Sequence, residues 1–99
     1  MYGTMARLRA RSGTGEQLEA LVDEYRSLGV PGFVSTHILH ADADPDEYYM
    51  LAVFEDRASY RKNAEDPEQD RRYRRMRELL DADPDWHDGE VVAVGSPGA

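Results

Sequence analysis

Residues 48–55 read YYMLAVFE, and up to Phe54 this stretch is apolar at odd and even positions alike. Successive side chains of a strand point to opposite faces, so a strand here carries one apolar row on each face. The rows are Tyr48, Met50, Ala52 and Phe54 on one side and Tyr49, Leu51 and Val53 on the other. A strand that is apolar on both faces needs cover on both. Helices of the same chain can cover one face, and we expect a second copy of the chain to cover the other.

The length of the chain favours the same homodimer. Its 99 residues suffice for one domain, which we assign to residues 1–95, followed by a short flexible tail over residues 96–99. A domain of this size buries only about 60 to 65% of the surface that its unfolded chain exposes. Burial of more surface by self-association would therefore stabilise it.

Composition excludes several classes of function. The chain has no cysteine, so disulfides, thiolate metal sites and cysteine nucleophiles are ruled out. Its 20 acidic and 12 basic residues give a net charge of −8, which disfavours nucleic acid and anionic membranes as partners. No segment approaches the ~20 apolar residues of a membrane span, and the N-terminal stretch lacks the apolar core of a signal peptide. We expect a cytoplasmic protein.

A strand and a helix are predicted at the start of the chain. Residues 2–11 alternate between an apolar row and a row with three arginines, which we expect to pair with carboxylates of a neighbouring strand or subunit. Thr14 and Gln17 have the spacing of a capping box, which predicts a helix that begins near Gly15. Apolar residues then recur at helical spacing until Gly29 stops the helix.

Residues 33–41, FVSTHILHA, are predicted to form a strand that pairs with the central stretch as a hairpin, through the turn at residues 42–46. Two histidines lie in this strand. Because His37 and His40 are three residues apart, they point to opposite faces and cannot bind one metal ion together. No metal site is predicted. His37 is the better candidate for a general base, since an imidazole titrates near physiological pH.

Two helices and a strand are predicted after the central stretch. Asp56 is a suitable N-cap for a short helix. Asp66 caps a second helix with Pro67 at its first position, and this helix is predicted to continue to about Leu80. Residues 86–94, WHDGEVVAV, are predicted to form the last strand.

The second of these helices contains the basic run RRYRRMR, at residues 71–77, which we interpret as a solvated helix face and not as a nucleic-acid site. Its arginines have acidic partners at i, i+4 spacing. The pairs are Glu68 with Arg72, Asp70 with Arg74, and Arg74 with Glu78.

The predicted order of strand, helix, strand, strand, helix pair and strand is the βαββαβ order of the ferredoxin-like α+β fold, with a four-stranded antiparallel sheet and helices on one side. Together with this order, the segments FEDRASY (54–60), DPE (66–68) and DPDWHDGEV (83–91) resemble small members of the antibiotic biosynthesis monooxygenase family. The resemblance implies a dimeric α+β barrel, in which two sheets pack face to face and the helices lie outside.

The resemblance also implies two possible activities. Enzymes of this family oxygenate phenolic polyketides without metal or flavin, or they degrade haem, in a pocket between sheet and helices. The haem-degrading members carry asparagine, tryptophan and histidine at places that here hold Ala6, Asn63 and Tyr73, so haem degradation is not expected. Oxygenation of an electron-rich aromatic molecule needs a dry cavity and a group that takes or stabilises a phenolic proton, and it requires no organic cofactor.

The resemblance to the polyketide oxygenases suggests the site residues. We assign catalytic roles to Asn63, Tyr73 and His37, with His37 or Tyr73 assisting deprotonation. Substrate binding is assigned to three aromatic residues, Tyr60, Trp86 and Tyr49. The alternative for these residues is structural: aromatic side chains that pack the core and an asparagine that forms hydrogen bonds at a helix end.

Two functions follow from these alternatives. In the first, the protein is a cofactor-independent monooxygenase of a small aromatic or polyketide-like molecule. In the second, it is a non-catalytic dimeric small-molecule-binding or accessory protein of the same fold, in which its own side chains fill the space.

Overall fold

A computed structural model of the protein describes residues 1–98, and it has the predicted ferredoxin-like α+β architecture. The elements are β1 (Tyr2–Arg9), α1 (Gly15–Glu24), a single 3-10 turn (Tyr25–Ser27), β2 (Phe33–His40), β3 (Glu47–Phe54), α2 (Arg57–Ala64), α3 (Pro67–Glu78) and β4 (Asp85–Glu90). The four strands form one antiparallel sheet in the order β2-β3-β1-β4. Ala99 lies outside the described residues, and the flexible tail over residues 96–99 stays a prediction.

The register of the sheet assigns every side chain to one of two faces. Ala6 lies opposite Met50 on β3 and Trp86 on β4, and these three share the face on which α1, α2 and α3 pack. We call this the covered face. Met5 lies opposite Leu51 and His87 on the other side, where large apolar side chains such as Met5 and Leu39 stay exposed and which we call the open face.

The hydrophobic core lies between the covered face and the helices. Leu8 and Tyr48 project from the sheet against Leu18 of α1, Met76 of α3 and Leu80. Leu8, Leu18 and Leu80 have no exposed surface. This packing is the cover that the even-numbered row of the central stretch requires.

Helix ends agree with the predictions at α2 and α3 and differ at α1. Asp56 Oδ1 accepts a hydrogen bond from Ser59 N at 2.7 Å, and Asp66 Oδ1 accepts one from Glu68 N at 2.9 Å. The predicted capping box of Thr14 is wrong. The Thr14 hydroxyl contacts the carbonyl oxygens of Arg11 (2.7 Å) and Leu79 (2.9 Å) instead, so it ties the start of α1 to the end of α3.

Two strand boundaries were predicted too far along the chain. β1 ends at Arg9, and the last strand covers residues 85–90 instead of 86–94. The physical reason for the second error is the length of the neighbouring strand. Glu90 lies opposite Tyr2, where β1 begins, and the bond from Val91 N to Met1 O (2.9 Å) is the last of the ladder. Residues beyond it have no neighbour to pair with, and Val92 is 92% exposed.

Two of the three arginines in residues 2–11 pair with carboxylates as predicted, whereas Arg11 donates to the backbone carbonyl oxygen of Glu78 at 3.1 Å. Arg7 contacts Glu47 on β3, and Arg9 lies 2.8 Å from Asp44 in the turn before it.

The i, i+4 pairs predicted for α3 are confirmed only in part. Asp70 contacts Arg74 at 2.9 Å, as predicted. Glu68 binds Arg71 instead of Arg72, and Arg72 donates to Gln69 Oε1 at 3.0 Å. The basic run is nonetheless a mostly solvated face, with Tyr73 and Met76 turned inward.

No helix within residues 1–98 is both long enough and apolar enough to cross a membrane.

Candidate functional site

A cavity of about 450 Å³ lies between the covered face of the sheet and the helices. All four strands, the three helices and the 3-10 turn contribute to its wall, which is mostly apolar. The apolar part includes Leu21, Val22, Met50, Ala52, Phe54 and Met76. Such a concave, largely apolar space with few polar groups is the usual form of a small-molecule site.

Four of the six predicted site residues line this cavity: Tyr60, Asn63, Tyr73 and Trp86. Tyr60 and Asn63 come from successive turns of α2, because a spacing of three residues keeps them on one side of the helix. Tyr73 projects from α3 towards Trp86 of β4, with 6.3 Å between the ring centroids. The helical periodicity and the strand parity read from the sequence thus bring these four together.

His37 and Tyr49 do not line the cavity. His37 lies opposite Leu51 on the open face, while His40, opposite Tyr48, points the other way as predicted. Tyr49 shares the open face, and its hydroxyl donates to Glu47 Oε1 at 3.3 Å. Within one chain the sheet separates both from the cavity, and the roles assigned to them stay predictions.

One polar cluster in the cavity wall joins β1, β4 and α2. Asp88 Oδ1 accepts hydrogen bonds from the Thr4 hydroxyl at 2.6 Å and the Tyr60 hydroxyl at 3.0 Å. Burial, with a further contribution from Asp88, raises the pKa of Tyr60 to about 12. Tyr60 is therefore a hydrogen-bond donor at this site and is poorly suited to accept a proton as a phenolate.

Aromatic contacts hold Tyr60 in place. Its ring lies 5.2 Å from that of Tyr2 and 5.6 Å from that of Phe54. Both neighbours belong to the sheet, so these contacts orient the Tyr60 ring against it.

A second polar group surrounds Tyr25. The Arg72 guanidinium lies 5.5 Å from the centre of the Tyr25 ring. The Tyr25 hydroxyl is buried, and no described residue forms a hydrogen bond with it in acceptable geometry, although Asn63 and Arg72 are polar neighbours. Burial raises the pKa of Tyr25, while the Arg72 charge acts in the opposite direction.

Charged residues also stand at the edge of the cavity. Glu24, at the end of α1, lies 3.6 Å from Arg75 of α3, and both side chains are more than 45% exposed. This pair links the two helices across the cavity wall.

Sequence reasoning missed Thr4, Tyr25, Arg72 and Asp88. Thr4 and Asp88 become neighbours through the β1–β4 register, and register cannot be read from a single sequence. One signal was available: Asp88 has the same strand parity as Trp86, so a side chain two residues away had to share the face of a predicted site residue.

No group of three or more His, Asp or Glu side chains in the described part of the chain is placed to hold a metal ion.

Several solved structures resemble this fold. A proposed antibiotic biosynthesis monooxygenase of Chloroflexus aurantiacus is 24% identical, with a TM-score of 0.79 and 98% of each chain covered. An asparagine-to-alanine variant of SnoaB, a cofactor-independent oxygenase of Streptomyces nogalater, is 16% identical, with a TM-score of 0.81 and 94% of each chain covered. Rv0793 of Mycobacterium tuberculosis is 16% identical, with a TM-score of 0.76 over 96% of this chain and 98% of its own. At these identities the likeness shows the fold alone.

No curated protein sequence matches the chain significantly. The sequence profile of one family, described as antibiotic biosynthesis monooxygenase, matches residues 1–81. Since this match covers most of the 99 residues, the chain belongs to the antibiotic biosynthesis monooxygenase family.

Proposed function

We propose that the protein is a monooxygenase that oxidises an electron-rich aromatic molecule, such as a phenolic polyketide, with dioxygen and without metal or flavin. The observation that carries the proposal is the cavity over the covered face, whose wall brings together Tyr60, Asn63, Tyr73 and Trp86. Family membership supports it, as does the likeness in fold to SnoaB, a cofactor-independent oxygenase.

The chemistry makes few demands on the protein. A phenol that loses its proton becomes electron-rich enough to transfer an electron to dioxygen, so the site must bind a flat ring, exclude water and favour the deprotonated form. With an anthrone, one oxygen atom becomes the new carbonyl and the other leaves as water with the two hydrogens of the oxidised carbon, so the substrate itself is the reductant. Trp86 and Tyr73 offer aromatic surface for a ring. The Asn63 amide, together with the Tyr73 hydroxyl, provides hydrogen bonds that stabilise charge on a phenolic oxygen.

The size of the cavity supports a small-molecule role. The alternative of a non-catalytic protein requires the chain's own side chains to fill this space. About 450 Å³ is unfilled, which lies in the range of pockets that hold drug-sized ligands.

Oxygen uptake with a panel of anthrones and quinols tests the proposal. We expect wild-type protein to consume oxygen with at least one of them, and we expect Asn63→Ala and Tyr73→Phe each to lower the rate about 10-fold or more. Gln17→Ala, on the exposed side of α1, is the matched control and should retain the wild-type rate. Turnover of none of these substrates, or turnover that neither substitution changes, would refute the proposal.

We also propose that the working unit is a homodimer formed through the open face. Large apolar side chains remain exposed there, with Met5 53%, Leu39 60% and Tyr49 41% accessible. Contiguous apolar surface of this kind marks an interaction site. A second copy, packed sheet to sheet, would cover it.

Sedimentation analysis tests the dimer. Wild-type protein should sediment as a dimer at micromolar concentration, and Leu39→Glu should shift it to monomer because the substitution places a charge in the interface. Val92→Glu, at a position 92% exposed and beyond the sheet, should leave the dimer intact. A folded wild-type monomer at micromolar concentration would contradict the proposal.

A further inference from the structure

In the polar cluster of Asp88, Thr4 and Tyr60, the Asp88 carboxylate can accept further hydrogen bonds. Both hydroxyls donate to Oδ1 of the carboxylate. A carboxylate has two oxygens and about four acceptor positions. Asp88 is an exposed residue in the wall of the cavity. Among the residues that the structure describes, Oδ2 receives no hydrogen bond, so this oxygen is accessible to water or to a ligand.

The charge of Asp88 is met by neutral groups. Its two partners are hydroxyls, and neither is a cation. The arginines of the cavity wall, Arg72 and Arg75, come from α3 and are engaged with Gln69 and Glu24. This end of the cavity therefore accepts hydrogen bonds and repels anions.

We propose that Asp88 forms a subsite that binds a protonated ring hydroxyl of the aromatic ligand, through a hydrogen bond from that hydroxyl to Oδ2. The ligand class rests on the proposed function, whereas the subsite itself rests on the geometry of the cluster. Thr4 and Tyr60 are positioning residues, since each fixes the carboxylate without needing to touch the ligand. A substrate of this protein then carries a free hydroxyl at one end of its ring system and no carboxylate there.

The inference agrees with the position of Trp86. Trp86 lies two residues before Asp88 on the same face of β4, opposite Ala6 where Asp88 is opposite Thr4. An aromatic ring that lies against Trp86 would hold a substituent near Asp88. The same strand thus supplies the aromatic surface and the acceptor.

A pair of matched ligands tests the subsite without any turnover. The probes are 2,6-dihydroxyanthraquinone and its 2,6-dimethoxy ether, which have the same ring system and are already oxidised. Trp86 is the single tryptophan of the chain and lines the cavity, so quenching of its fluorescence reports binding. The titrations are made at about pH 6, where phenolic hydroxyls retain their protons.

We expect wild-type protein to bind the dihydroxy probe about 10-fold or more tightly than the dimethoxy probe, the effect of a hydrogen bond to a charged acceptor. Asp88→Asn should reduce this ratio to near 1, and Asp88→Ser gives the same expectation with a smaller side chain. Asp85→Asn is the matched control: Asp85 is on the same strand but faces the other side, opposite Arg7, and the wild-type ratio should persist.

A wild-type ratio near 1, or a ratio that persists in both Asp88 variants, would overturn the subsite. These outcomes are separate from those of the proposed function. Oxygen uptake with a flat binding ratio would remove the subsite and leave the monooxygenase proposal in place. Selective binding of the dihydroxy probe without oxygen uptake would support the subsite and contradict the monooxygenase proposal.

Discussion

The two faces of one sheet both carry apolar side chains but differ in what covers them. On the covered face, Leu8 and Tyr48 are closed in by helices. On the open face, Met5 and Leu39 remain more than half exposed in the single chain. Side chains alternate between the two faces along each strand, so the difference in exposure comes from the face on which the helices pack. Two successive side chains of the same strand should therefore contribute very differently to the free energy of unfolding.

The largest expected effect is on β1, where Leu8 points to the covered face and Met5 points to the open face. Leu8→Ala should lower the free energy of unfolding by about 2 to 5 kcal/mol, because Leu8 is fully buried and its removal leaves a cavity. Met5→Ala, on the open face, should cost much less when both substitutions are compared in the Leu39→Glu background, in which we expect a monomer. Urea denaturation monitored by circular dichroism measures both. Equal losses would show that the faces do not differ as the structure has them.

The next effect concerns backbone packing on the open face. Gly3 lies opposite Gly89, and a Cβ at position 3 would come 2.6 Å from the carbonyl oxygen of Ala52, whereas one at position 89 would meet nothing within 4 Å. Gly3→Ala should therefore destabilise by about 1 to 3 kcal/mol, because the neighbouring backbone must shift. Gly89→Ala should be neutral. Thermal denaturation distinguishes the two, and equal melting temperatures would contradict the close approach.

A smaller, pH-dependent effect is expected at the start of α2, which helps to cover the sheet. The hydrogen bonds from Ser59 lower the pKa of Asp56. A depressed folded-state pKa stabilises the protein above the carboxyl's unfolded pKa, and this stabilisation is lost as pH falls through the lower, folded-state value. Asp56→Ala should thus be less stable than wild type at neutral pH, and the difference should shrink in strong acid. A difference that stays constant with pH would argue against the cap.

The smallest effect is expected at Tyr25, within the covered region itself. Its buried hydroxyl has no hydrogen-bond partner among the described residues, so removing it forfeits no bond. Tyr25→Phe should leave stability unchanged or raise it by up to about 1 kcal/mol. Chemical denaturation provides the measurement. A clear loss of stability would mean that the hydroxyl is paired, for example through an ordered water.

Much of the fold was predictable because local patterns agree with one another. The strand at residues 48–54, the caps at Asp56 and Asp66 and the proline at position 67 each depend on residues close together in the sequence, and each is confirmed. The failures involve distant partners. Thr14 has the spacing of a capping box, but its hydroxyl contacts Leu79, far away in sequence. The end of β4 depends on where β1 begins.

The candidate site divides in the same way. Tyr60, Asn63 and Tyr73 were predicted from helical spacing and family resemblance, and Trp86 from the resemblance and its place in the last strand. All four line the cavity. Asp88 was not predicted as a site residue, since nothing near it in sequence indicates the hydrogen bonds that it accepts from Thr4 and Tyr60. Those contacts arise from strand register and from the position of α2, which are tertiary properties. His37 was assigned by its titration range alone, and the parity of β2 turns it to the open face.

The position of β1 has a consequence for how the chain is made. β1 lies inside the sheet, between β3 and β4, yet it leaves the ribosome before either of them. Its backbone groups can pair on both edges only after Glu47–Phe54 and then Asp85–Glu90 have been synthesised. Pairings this distant along the chain slow folding and expose an unpaired edge in the meantime. During synthesis, this nascent polypeptide is therefore expected to depend on chaperones for longer than a helical bundle of equal length would.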